Sequence, residues 1–181
     1  MGIVILVVLI LLVLFTIITY NGLVVKRNRV RNSWAQIDVQ LKKRFDLIPN
    51  LVETVKGYAK HEASTLEAVV KARNQYISAV SPEEMIKANT EMTGALSRLF
   101  ALAESYPDLK ANSNFMELQG ELKDVEGKIA YSRQFYNDTV LMYNNAIQVF
   151  PANLIAGIFG FKEEPYFKAE EAERQNVKVQ F

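Results

Sequence analysis

The residues that could do chemistry in this chain are few and badly placed for it. His61 is the single histidine and Glu62 follows it, but a zinc-protease pair needs a second histidine at position 65, and Thr65 stands there. Acids are plentiful, yet they alternate with Lys and Arg at helix-surface spacing, the pattern of solvated i,i+4 pairs rather than of general acids and bases. There is no Gly-rich phosphate loop, and no serine or threonine has recognisable triad partners. The chain has no cysteine, which excludes disulfides, thiolate catalysis and palmitoylation. Asn137-Asp138-Thr139 has the form of a glycosylation sequon, but it falls inside a helical pattern. The residues therefore predict a protein that is not an enzyme, with no catalytic set, metal site or cofactor.

What must position any site is dominated by one edge. Residues 1–25 contain no Asp, Glu, Lys or Arg, and Lys26, Arg27, Arg29 and Arg31 follow at once. From Ile3 to Tyr20 the chain is almost wholly aliphatic or aromatic. About 18 helical residues cover roughly 27 Å, enough for the hydrocarbon core of a bilayer. A cleaved signal peptide would want a basic start, a shorter apolar core and a small-residue cleavage site, and Thr19-Tyr20-Asn21-Gly22 is a poor one. We expect an anchor over residues 1–22. Ile3, Leu6, Leu9, Leu12 and Phe15 would face lipid, Tyr20 the interface, and the four basic residues the anionic headgroups. The positive-inside rule then places the N terminus outside and the following domain in the cytoplasm. Leu6 stands where a myristoylation signal needs Ser or Thr. The net charge is +1 and the basic block lacks interleaved aromatics, so no nucleic-acid partner is expected.

Beyond the anchor, Val30, Trp34, Ile37, Leu41, Phe45, Ile48, Val52, Val55 and Ala59 recur in steps of three and four. The pattern resumes at Leu66, Val69, Tyr76 and Val80. It predicts one helix over about 23–80, kinked at Pro49 and weakened at Asn21-Gly22. Ser81-Pro82-Glu83-Glu84 is a capping box that starts a helix over 82–104. A third helix, 113–150, carries Phe115, Leu122, Ile129, Tyr136, Tyr143 and Phe150 at heptad spacing, like a coiled-coil seam. A short helix over 152–160 and a charged tail over 162–181 complete the chain, and Val177–Phe181 alternates like an edge strand or a docking peptide. The expected fold is all-α: an N-terminal transmembrane helix, then an elongated antiparallel helical bundle over 23–161.

Two features stand out from this pattern. Thr139–Phe161 is uncharged over 23 positions. Asn144, Asn145, Gln148, Pro151 and Asn153 would be costly in lipid, so a buried or inter-subunit helix end is expected, with interfacial contact by Asn153–Phe161 as the other candidate. Gly120 and Gly127 lie seven apart on the face opposite the heptad seam, where a second helix could approach closely or where surface glycines are simply tolerated.

Three segments, YNGLVVKRNRVRNSWAQIDVQLKKRFDLIPNLVETVKGYAKHE, LFALAESYPDLKANSNFMELQGEL and IAYSRQFYNDTVLMYNNAIQVFP, cover about half the chain in order. In them the sequence resembles the LemA family of bacterial membrane-anchored proteins. The resemblance implies one N-terminal span, the N terminus outside and a helical domain inside. The family pattern falls on Asn28, Trp34, Asp38, Asp46, Pro49, Asn50, Tyr106, Pro107, Arg133, Tyr136, Asn137, Asn144 and Pro151. It supplies no activity, although one branch is associated with forming magnetosome membranes. Physically, Asp38 and Asp46 are each placed to pair with Lys42, Asn50 to satisfy backbone freed by Pro49, and Arg133 to pair with an acid on another helix. Expected partners are membrane lipids and further copies of the chain. The alternative is an adaptor that binds an unidentified protein or peptide.

Overall fold

The computed structural model describes residues 1–59 and 62–167. Among them the regular elements are helices only: α1 Gly2–Lys56, α2 Ala63–Ser78, α3 Pro82–Ala103, α4 Pro107–Lys110, α5 Ser113–Gln148 and α6 Ala152–Ile158. The chain is all-α, as expected. His61 and the alternating end Val177–Phe181 lie outside the described residues.

The N-terminal part of α1 is long and apolar enough to cross a membrane, and the protein buries none of it. Ile3, Leu6, Leu9, Leu12 and Phe15 are all exposed, while Leu23 is the first buried residue. Packing thus begins within three residues of Tyr20. The weak point expected at Asn21-Gly22 is not found, because α1 passes through it unbroken. A helical glycine costs only about 1 kcal/mol, and burying the adjacent Leu23 outweighs that.

The helix expected over 23–80 is two helices. α1 stops at Lys56, before Gly57, and α2 starts at Ala63 and runs back along α1. The Phe45 and Tyr76 rings stack at 4.0 Å, and the Tyr76 hydroxyl donates to Asp38 at 3.0 Å. Both helices bury their apolar faces against each other, so a 3.6-residue period survives the reversal and hides it.

The chain divides into two compact units, with α1 dividing after Ile37 and α5 before Tyr131. In the bundle unit, Leu41, Ile48, Leu51 and Val55 of α1, Val69 of α2, Met92 and Leu99 of α3, Leu109 of α4 and Phe115 and Ile129 of α5 form the core. Its local signals are strong. Ser81 accepts from the Glu84 amide at 3.2 Å, and the Glu84 carboxylate accepts from the Val80 and Ser81 amides. Those two backbone donors hold the Glu84 pKa below its ordinary value. Asn112 caps α5 by accepting from the Phe115 amide at 3.0 Å.

The anchor unit contains the first part of α1, the last part of α5, α6 and an extended segment, 161–167. Ser33 and Thr139, both buried, let α1 and α5 approach until their hydroxyls are 2.8 Å apart. Tyr136 and Tyr143 of the heptad seam are buried inside this unit and serve the chain's own core, while Phe150 at its end is exposed. Gly160 takes φ +68°, a conformation open to glycine. The Phe161 amide then bonds to the Ala156 carbonyl at 2.9 Å and the Gly160 amide to Gly157 at 3.3 Å. This Schellman stop turns the chain from α6 into the extended segment.

Candidate functional site: a tyrosine–asparagine clamp

Two Tyr-Asn dipeptides, Tyr136-Asn137 and Tyr143-Asn144, lie seven residues apart on α5. Seven helical residues return to nearly the same face after a rise of about 10.5 Å. Three residues of extended chain span roughly the same length, about 10 Å. The two elements can therefore meet in register, and they do. The Tyr143 hydroxyl donates to the Lys162 carbonyl at 2.9 Å, and the Tyr136 hydroxyl donates to Pro165, three residues on, at 2.9 Å. The Asn144 amide nitrogen donates to the Glu164 carbonyl at 2.9 Å, and its oxygen accepts from the Glu164 amide at 2.9 Å. Asn137 repeats this at Phe167, with bonds of 2.9 and 2.8 Å. Each side-chain amide thus pairs with a residue's backbone as a neighbouring strand would.

Aromatic rings close the clamp. Trp34 meets Tyr136 edge-on at 5.6 Å, and Arg133 stands over the Phe167 ring at 4.5 Å. Phe167 is only 3% exposed, so this contact is desolvated. Burial, followed by the nearby Glu164 carboxylate, pushes the Tyr143 pKa up, against the opposing pull of Arg27 and Arg31. Its hydroxyl therefore remains a donor. The clamp recognises peptide groups by geometry, and none of its members is set up as a nucleophile.

A second polar cluster lies in the bundle unit. Arg44 is 3% exposed. It donates to Asn89 at 2.5 Å and Thr93 at 3.2 Å, and pairs with Glu126 at 2.8 Å. It joins α1, α3 and α5 through one guanidinium, whose planar fork suits several acceptors at once.

The residues singled out from the sequence fall as follows. Lys26, Arg29 and Arg31 are exposed, while Arg27 lies over the Phe161 ring at 5.0 Å. Asp38, expected to pair with Lys42, accepts from Tyr76. Asp46 is exposed nearby. Burial first, then the Asp38 hydrogen bond and the charges of both acids, holds the Tyr76 phenol protonated well above its usual range. Pro49 leaves the Phe45 carbonyl without a helical donor, and Arg73 Nε supplies a long bond to it at 3.4 Å. Arg73 thus fills the role expected of Asn50, which is exposed. Gly120 and Gly127 both face open space, and Gly127 lies on a groove lined by Leu96, Phe100 and Leu122. Tyr136, Asn137 and Arg133 come together in the clamp.

Sequence reasoning missed Tyr143 as a clamp residue, the extended segment that it holds, and the roles of Arg44, Asn89 and Arg73. Signals existed for some. The Tyr-Asn pair recurs at a heptad interval, and Arg44 and Asn89 each interrupt an apolar stripe.

Comparison with known proteins places these features in a family. The model of the LemA family matches residues 33–181. Protein LemA of Metamycoplasma hominis is 27% identical over 161 residues, covering 87% of this chain and 72% of that protein. Magnetosome protein MamQ of Magnetospirillum gryphiswaldense is 25% identical over 179 residues, covering 84% of this chain and 66% of its own length. Magnetosome protein MamQ 2 of Paramagnetospirillum magneticum matches to the same extent. None of these names is that of an enzyme. With the family model spanning most of its length, the chain belongs to the LemA family.

Proposed function

We propose that this is a non-enzymatic, membrane-anchored structural protein whose copies associate side by side and so organise or remodel the bilayer that holds them. The observation that carries this reading is a second apolar row on α5. Tyr131, Phe135 and Met142 of α5 are exposed at steps of four and seven, on the same helix whose other face fills the core. An exposed a-type row of this kind suits another helix. α1 enters the anchor unit directly from the span, so lateral association there would bring anchors together. The similarity to proteins named for the magnetosome supports a role in membrane organisation. The basic block Lys26–Arg31 supports a cytoplasmic domain.

The test is native mass spectrometry of the full chain released from lipid nanodiscs. Defined oligomers are expected, and Phe135→Glu with Met142→Glu should dissociate them. A strict monomer at micromolar concentration overturns the reading.

One feature favours an adaptor as the second reading. A groove lined by Val52, Leu66 and Val70, with Lys56, Glu67 and Lys71 among its other lining residues, runs between α1 and α2. A peptide helix with an apolar face would fit it. Val70→Glu should abolish capture of such a partner and leave self-association intact. Unchanged capture by that variant contradicts the adaptor.

A further inference from the structure

We infer that α6 and the turn before it form a second membrane contact, lying in the bilayer interface beside the end of the span. Five large apolar side chains cluster there. Val149 is 56% exposed, Phe150 79%, Leu154 56%, Ile158 75% and Phe159 51%. Phe150, Leu154 and Ile158 follow one another at four-residue intervals. No charged residue occurs between Thr139 and Phe161. Such a patch on a water-soluble face would be unusual, and what covers it is argued from its position.

That position is fixed by Tyr20. The Phe159 ring lies 4.8 Å from the Tyr20 ring, and the Phe161 ring 5.7 Å from it. Tyr20 is the last aromatic residue of the uncharged segment, at the level where a span meets the headgroups. α6 is held to that same level and cannot sit deep in water while the anchor crosses the bilayer. Charge follows the same boundary. Lys26, Arg27 and Arg29 lie just past the span on α1, and Lys162 follows Phe161 on the other strand of the contact. Arg27 covers the Phe161 ring at 5.0 Å, so the basic side and the apolar side of the boundary meet in one contact. Apolar face, aromatic rim and basic edge together make the pattern of an interfacial helix. The asparagines that argue against a full span agree with this placement. Asn144 binds Glu164, and Asn153, about 100° around the helix from Leu154, can remain at the polar boundary.

This inference rests on the anchor reading, and the test separates the two. The chain has no cysteine, so single-cysteine variants carry one spin label each. Leu12→Cys, Leu154→Cys, Ile158→Cys and Val80→Cys place labels on exposed positions only, and Val80 lies outside the proposed association row. Each full-length variant is reconstituted in phosphatidylcholine–phosphatidylglycerol bilayers, and collisions with oxygen and with a water-soluble nickel chelate are measured. Leu154 and Ile158 are expected to show nickel accessibility severalfold lower than Val80, with oxygen accessibility at least as high, at a depth shallower than Leu12. If Leu12 is lipid-exposed but Ile158 and Leu154 match Val80, the interfacial contact is refuted and the anchor stands. Labels at 154 and 158 shielded from both reagents overturn it in favour of a second copy covering the patch. A water-accessible Leu12 overturns both readings.

Discussion

In the bundle unit, side chain meets side chain: four helical segments and the short α4 bury Ile48, Met92, Leu99 and Ile129 against one another, and one guanidinium ties three of them together. In the anchor unit, two long helical segments are completed by extended backbone, and the side chains that hold it are two tyrosines and two asparagines. The difference has a physical reason. Two helices in contact leave one flank of each open, so a third layer must supply the missing surface. An extended segment can do so only if its own peptide groups find partners, because unpaired buried peptide groups are costly. The Tyr-Asn pairs provide those partners at the repeat that extended chain requires. The bundle unit thus depends on bulk apolar packing, and the anchor unit on a few directional bonds next to the membrane.

The largest break in this contrast should come from Arg44→Ala. Removing one partner of a buried ion pair costs about 3–5 kcal/mol, and the lower end applies because Glu126 is 42% exposed. Amide exchange should accelerate across α3 and residues 113–130 of α5, which Arg44 ties to α1, while the amides of 163–167 change little. A smaller and differently placed effect is expected from Asn144→Ala. Losing its two bonds to Glu164 should cost roughly 1–3 kcal/mol. Here the amides of Glu164 and Phe167 should lose protection while α3 keeps its own. Equal loss in both units would erase the distinction between them. Tyr143→Phe removes only the bond to Lys162 and should cost about 1 kcal/mol, read as a fall in denaturant midpoint.

The smallest effect belongs to the capping box. Ser81→Ala should destabilise by about 1 kcal/mol. The folded pKa of Glu84 is depressed, so its contribution is present above its unfolded pKa and is lost as pH falls through the folded value. Glu84→Gln should therefore reduce the loss of stability between neutral and acidic pH. An unchanged acid slope contradicts that role.

Legibility in the sequence follows the same contrast. Regular periodicity, the Ser81 cap and the charge edge at Lys26 are local signals, and each leads to its element. The reversal after Lys56 was hidden because an apolar stripe has the same period on both sides of a turn. Arg44 was hidden in the run Lys42-Lys43-Arg44, where its register, three after Leu41 and four before Ile48, outweighs its charge. The orphaned Phe45 carbonyl could be inferred from Pro49, but its donor, Arg73, lies on another helix that only folding brings near. The clamp is the hardest case. Tyr136, Asn137, Arg133 and Asn144 stood out through family resemblance, yet their target is the backbone of 162–167, which carries no side-chain code.

Lateral association through the outward row of the anchor unit can be trapped by disulfides in the cysteine-free chain. Met142→Cys and, as a bundle-unit control, Val80→Cys are oxidised mildly in the intact membrane; Val80 is the more exposed, at 89% against 55%. Linked dimers are expected for Met142→Cys and monomers for Val80→Cys. Monomers from both variants, or equal linking from both, would overturn lateral association through this row.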